Sequence, residues 1–382
     1  MPVLVDEGKG KAGNPWQVEF LRMFDMANDS GLFRTREALE AQGFRLEGNV
    51  FVRGRERYLP LYEAKMVHQF DHRFGDYAMQ PPGSKGTQLP EVSLERLADP
   101  AYSVLPRYWV PETEVQARLS GRWDRGWLLG WRDIARSTDE RTVIAAVIPR
   151  VAVGDTFLLA LPARWDMSCA WIASLNALVT DFAARQKVGG THLKFHTFKQ
   201  LPVLPPDAFD QPLPFPWEPP HSPLATHHSL DRNHSPLATH HSPPTLADFL
   251  RPRVLELTYT AWDLEPFARD LGYEGPPFRY DPERRAVLRA ELDALFFHLY
   301  LGSEEDWARE AAQALRTLFP TPRDAVAYIL DQFPIVKRRD EERFGEYRTK
   351  RLILETYDAM QEAMCTGKPW RPHLTEEAHD ER

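Results

Sequence analysis

The residues best suited to chemistry lie in one run at 132–141, Arg-Asp-Ile-Ala-Arg-Ser-Thr-Asp-Glu-Arg. Arg132 and Arg136 are four apart, so a helix here would set both on one face. Planar guanidinium forks suit phosphate oxygens and the edge of guanine. The plainer reading is a solvated loop with surface ion pairs, which contribute little. A second pair, His68 and His72, has the spacing to share a helix face and ligate a metal. It lacks HExxH order and an obvious third ligand, so a packed, hydrogen-bonded pair is the simpler reading. Lys187, Thr191, Lys194 and Lys199 give a third stretch a local positive bias, suited to phosphate contacts or simply to solubility.

The charged run must be positioned by what flanks it. Segments 142–148 and 151–161 have the length and Val, Ile and Leu content of buried strands, with Pro149 and Arg150 between them. Trp109, Trp123, Trp127 and Trp131 precede or open the run. They read either as an aromatic core or as a stacking platform for unpaired bases. Beyond it, 168–188 carries Trp171, Leu175, Leu178, Val179 and Phe182 at helical spacing, stopped by Gly189-Gly190. Nearer the start, 18–24 reads as a short helix, and 44–46 with 50–52 reads as a hairpin around Glu47-Gly48-Asn49. From Leu246 onward the pattern is helical. Asp281-Pro282 is a cap followed by a first-turn proline, and Thr321-Pro322-Arg323-Asp324 repeats the signal. Seven lysines and arginines between Lys337 and Arg351 alternate with acids, the pattern of a surface laced with ion pairs.

Composition bounds the rest. A chain of 382 residues, 43% hydrophobic and 27% charged, is long enough for two or three domains and a sizeable core. The net charge of -8 argues against nucleic-acid binding by bulk electrostatics, yet leaves room for a local basic groove. Cys169 and Cys365 lie far apart, without metal-ligand spacing. No apolar run approaches the roughly 18 residues of a membrane span, and the N-terminus lacks signal-peptide order. A cytoplasmic, soluble protein with no membrane partner is expected. HSPLATHHS occurs at 221–229 and again at 234–242, and these copies hold six of the thirteen histidines. Such composition builds no core and reads as a low-complexity spacer.

Five blocks then carry a resemblance: NPWQVEFLRMFDMANDSGLFRT, YLPLYEAKMVHQFDHRF, RDIARSTDERTVIAAVIPRVAVGDTFLL, HLKFHTFKQLPVLPP, and DAVAYILDQFPIVKRRDEERFGEYRTKRLILETYDAM. In order and spacing they resemble the C-terminal part of the large adenine-specific DNA methyltransferases of restriction–modification and phage-defence systems, including type IIG enzymes and the DISARM-type methylase. That family binds S-adenosylmethionine through a Gly-containing loop and holds the flipped adenine with an Asn-Pro-Pro-aromatic motif. Neither feature is in this chain, where Asn14-Pro15-Trp16 lacks the second proline. The resemblance therefore implies no cofactor and no catalytic residue on this chain. It implies a target-recognition region that reads double-stranded DNA beside a flipped adenine, with a separate methyltransferase polypeptide as a further partner. The DNA-facing residues it implies are Arg132, Asp133, Arg136, Thr138 and Arg141, with Lys187, Gly190, Thr191 and Lys194 alongside.

The expected architecture is α+β. Residues 1–80 would adjoin the methyltransferase domain and 81–204 would form a mixed strand and helix recognition domain. Residues 205–245 would be the linker, 246–370 a helical C-terminal domain and 371–382 an acidic tail. Two other readings stand beside it. One is a non-catalytic interaction protein. The other is a metal-dependent hydrolase using His68, His72, His192 and His196.

Overall fold

A computed structural model describes residues 2–81, 88–217 and 243–372 of the chain. The fold is α+β, with strands in the N-terminal half and helices dominating after residue 243. The nine strands found among the described residues are β1 (Glu19–Leu21), β2 (Arg45–Glu47), β3 (Val50–Arg53), β4 (Glu56–Tyr62), β5 (Trp109–Pro111), β6 (Trp127–Arg132), β7 (Ala145–Pro149), β8 (Ala152–Val153) and β9 (Phe157–Leu161). One sheet has the order β1-β9-β6-β7 and is antiparallel throughout. A second runs β2-β3-β4-β5, with β8 pairing parallel to β4.

The two apolar runs that flank the charged segment form β7, β8 and β9, as their composition suggests. Every residue of β7 and β9 is buried, so both sheet faces are covered and the runs need no polar alternation. The hairpin around Gly48 forms as β2 and β3, with Gly48 at φ +60° where a side chain would be strained. Segment 18–24 is not a helix. Its residues 19–21 pair with Leu161, Ala160 and Leu159 at the sheet edge, and tertiary pairing overrides the local periodicity.

The helices come in two groups. Within the strand-rich half lie α1 (Arg36–Ala41), α2 (Leu94–Ala98), α3 (Glu112–Leu119), α4 (Ser168–Asn176), α5 (Leu178–Arg185) and α6 (Phe195–Phe198). After residue 243 come α7 (Leu246–Thr258), α8 (Glu265–Asp270), α9 (Pro282–Leu301), α10 (Glu304–Glu310), α11 (Gln313–Leu318), α12 (Pro322–Asp331), α13 (Pro334–Phe344) and α14 (Arg348–Thr366). Asp281 caps α9 and a Thr321–Asp324 capping box starts α12, both where the sequence places them. The expected single helix over 168–188 is broken instead. Ala177 is extended (φ −63°, ψ 139°), and α4 and α5 bend by 57° across it. No single helix among the described residues is long and apolar enough to cross a membrane.

A main core joins most of these elements, from Leu4 through Trp16, Trp127, Trp171 and Phe249 to Trp370, and a smaller cluster of Leu39, Phe44, Phe51 and Trp109 packs α1 with β3 and β5. Helix α4 packs on β7 and on α7, so the strand and helix halves share the main core. Trp109, Trp123, Trp127 and Trp131 are all buried, at most 7% exposed. They are therefore core aromatics and offer no stacking platform. Trp131 lies flat on Phe198 with centroids 3.6 Å apart. Residues 205–217 and 243–245, expected as part of the linker, pack against the folded body. Phe209, Phe215 and Trp217 are buried, and Leu213 and Leu246 hydrogen-bond to Pro244 and Gln211. Both HSPLATHHS copies, and residues 373–382 of the tail, lie outside the described residues.

Candidate nucleic-acid interface

Strand β6 leaves its sheet at Arg132, and the charged run that follows is not helical. Residues 133–135 pair instead with 191–193. Ala135 donates its N–H to Thr191 (3.0 Å), Leu193 donates to Asp133 (2.7 Å), and Ile134 stands opposite His192. A turn then closes: the Arg136 N–H donates to the Asp139 carboxylate (3.0 Å) and the Asp139 N–H returns to the Arg136 carbonyl (3.2 Å). Arg136 and Thr138 project from this turn into solvent.

The turn is held from beneath by buried charge. Arg185 donates to the carbonyls of Ser137 (3.0 Å), Asp139 (2.7 Å) and Glu140 (2.8 Å), spending its guanidinium fork on loop backbone. Its Nε reaches Asp181 Oδ1 at 2.9 Å. Asp181 Oδ2 accepts from Arg141 Nε (3.1 Å) and from the N–H groups of Thr142 (2.9 Å) and Val143 (3.1 Å). A carboxylate with this many donors satisfies the condition under which a buried charge is tolerated. The loop is thus pre-formed, and little ordering entropy remains to be lost on contact with a partner.

Beside the turn runs an exposed stretch with two lysines. Lys187, Gly189, Gly190, Thr191, His192, Lys194 and His196 are all exposed. A side chain built at Gly189 or Gly190 would meet nothing within 4 Å, so the backbone there is open to approach. Asp133 anchors the edge. Its Oδ2 binds Lys194 Nζ at 2.6 Å and His192 Nδ1 at 3.0 Å, while its own side chain is only 2% exposed. Lys194 and His192 remain about half open, at 47% and 46%. Arg136 and Lys187 have no carboxylate partner among the described residues.

The nine residues marked out by the sequence therefore divide. Arg136, Thr138, Lys187, Gly190, Thr191 and Lys194 are all exposed, and the segment holding Thr191 and Lys194 pairs beside the one leading to Arg136. Asp133 and Arg141 depart from the expectation of exposed contacts. Asp133 is buried as an anchor, and Arg141 is buried against Asp181 and the Asn176 carbonyl. Arg132 is half-buried, its Nε has no partner, and burial lowers its pKa from the ordinary arginine value. Arg185 and Asp181 escaped the sequence reading. Their spacing of four on an otherwise apolar helix face was the available signal.

The histidine pair does not share a helix face. Residues 68–71 form a tight turn, with Phe70 at φ +58° and reciprocal backbone hydrogen bonds between His68 and Asp71. Burial, followed by the nearby charges of Arg289 and Arg132, holds the His68 pKa well below the usual value. His72 is fully buried with Nε2 2.8 Å from Asp263 Oδ1. No group of three or more His, Cys, Asp or Glu among the described residues is arranged to hold a metal ion. Comparison of the chain with protein-family models, with curated proteins and with solved structures gave no match.

Proposed function

We propose that the chain is the DNA-reading portion of an adenine-specific DNA methyltransferase of a restriction–modification or phage-defence system. In this reading it contacts double-stranded DNA through the edge formed by 136–138 and 187–196. A separate methyltransferase polypeptide supplies S-adenosylmethionine chemistry. The observation that carries the reading is the turn at 136–140, whose underside is fixed by Arg185 and Asp181 while Arg136 and Thr138 face outward. A rigid turn presenting an unpaired guanidinium beside open glycines and lysines suits phosphate contact and approach to a groove. The overall charge of -8 means that such a surface must act locally.

The test is a titration of the full chain with random-sequence duplex at two salt concentrations, with and without a co-expressed methyltransferase domain. An Arg136→Ala/Lys187→Ala variant runs alongside. Binding that weakens steeply with salt, with a slope shallower by about 2 in the variant, supports the reading. Absence of salt-dependent binding in both settings would overturn it and leave a protein–protein interaction role.

A further inference from the structure

A second site lies on the other side of the 132–141 segment. Glu140 and Arg141 form part of the wall of a cleft of about 870 Å³ between the residues around Asp71 and helices α9, α13 and α14. That volume is within the roughly 300–1,000 Å³ typical of small-molecule sites. Two guanidiniums from consecutive turns of α9, those of Arg285 and Arg289, line it.

Neither guanidinium has a carboxylate within ion-pair distance among the described residues. Arg285 is 9% exposed and donates to the carbonyls of Leu257 and Phe70, with its plane over the Tyr280 ring at 4.2 Å. Arg289 donates to the Gln69 side-chain carbonyl at 2.8 Å. A guanidinium has five N–H donors, so both keep donors in reserve. The cleft's buried carboxylates are otherwise engaged. Asp71 accepts from the Tyr280 hydroxyl and from the Arg73 N–H, and Asp293 accepts from the Leu178 N–H at 2.6 Å. Burial, followed by the Arg141 charge, lowers the Arg289 pKa to about 10, with Asp293 opposing the shift.

The same cleft carries apolar surface. Leu94 and Phe344 are 53% and 38% exposed, and both belong to its lining. The lining as a whole mixes acids and arginines, so the cationic character is local to Arg285 and Arg289, and apolar side chains open beside them fit a ligand that is part anion and part ring or chain.

We propose that this cleft binds a nucleotide, with its phosphates on Arg285 and Arg289 and its base against Leu94 and Phe344. Bidentate guanidinium contacts suit the two arginines without an ion-pair partner, and the partly exposed Leu94 and Phe344, the latter's ring flanked by Arg343 and Arg348 at 5.0 and 4.6 Å, offer apolar surface that an inorganic ion would not use. The site is independent of the DNA-facing edge, whose exposed residues lie outside the cleft.

Calorimetric titration of the full chain with ADP, inorganic pyrophosphate and adenosine tests the proposal. ADP should bind more tightly than either fragment. Arg289→Gln should weaken ADP and pyrophosphate by about tenfold or more. Phe344→Ala, at an exposed position, should weaken ADP and leave pyrophosphate unchanged. No ADP binding at millimolar concentration, equal affinity for ADP and pyrophosphate, or unchanged affinity in both variants would overturn it. So would displacement of ADP by duplex DNA, since the cleft would then belong to the DNA surface.

Discussion

Arg141 and Asp181 form an ion pair of 3.1 Å with side chains only 4% and 0% exposed, and Arg185 closes on the same carboxylate at 2.9 Å. The pair sets the height of the turn that carries Arg136. Replacing Asp181 by alanine would strand two guanidiniums without their charge partner, a loss that costs about 3–5 kcal/mol. Urea unfolding should show a midpoint lowered accordingly. A change below about 1 kcal/mol would mean that water reaches these groups.

Arg136 and Arg141 should separate cleanly, although both are arginines of one short run. Arg136→Ala should leave the melting temperature unchanged and reduce the salt slope of duplex binding by about 1. Arg141→Ala should lower the melting temperature instead. Equal effects of the two substitutions on salt slope would contradict the burial of Arg141.

Asp293 is 7% exposed, and burial raises its pKa from 3.8 to about 6. A carboxyl raised in the folded state adds stability below its unfolded value, and that stability is lost as pH rises through about 6. Asp293→Asn keeps an acceptor for the Leu178 N–H without the charge. It should be the more stable form at pH 7, by on the order of 2–3 kcal/mol, with the difference vanishing near pH 4. Denaturation midpoints of both forms across this window check the sign.

His298 acts oppositely. It stacks on Tyr357 with centroids 3.8 Å apart and 7° between planes, and burial lowers its pKa from 6.5 to about 4. The neutral ring belongs to the folded state, so its contribution is full above pH 6.5 and is lost as pH falls toward 4. Because His298 joins α9 to α14, acidification should loosen that helix pair first. His298→Gln should flatten the acid limb of the stability profile. An unaltered profile would mean that the limb belongs to other groups.

Gly130 lies mid-strand in β6, where an added Cβ would sit 2.3 Å from the Leu158 carbonyl oxygen and 2.6 Å from the Phe157 ring. Backbone cannot step aside as a flexible side chain can. Gly130→Ala should therefore cost about 1–3 kcal/mol or more, read as a lower thermal midpoint. Gly190→Ala, in open space, should not.

Legibility in the sequence followed how local each determinant is. The hairpin at Gly48, the cap at Asp281 and the capping box at Thr321 depend on a few neighbouring residues, and those residues suffice. Segment 18–24 and helix 168–188 were decided at a distance. The first is captured by β9, and the second is broken at Ala177, just after Asn176, whose side-chain amide pairs with both backbone groups of Ala145. At the candidate edge, residue type marked Arg136, Lys187 and Lys194, but burial of Arg141 and Asp133 depended on partners 40 and 61 residues away. The cleft was invisible for the same reason. Arg285 and Arg289 look like solvated helix charges until the residues around Asp71 and α13 and α14 close around them.

The pairing of the chain's beginning with its middle carries a consequence for biosynthesis. Trp16 donates its indole N–H to Leu204 at 2.9 Å across 188 residues, and β1 is completed only by β9. At about 5–20 residues per second, the first strand leaves the ribosome some 10–40 s before its last anchor is made. Until β9 and Trp171 emerge, Leu4, Trp16 and Val18, all buried in the finished fold, lack much of their native cover. Residues 4–21 are thus secured only once the middle of the chain has emerged, and until then the nascent chain carries an unprotected apolar strand.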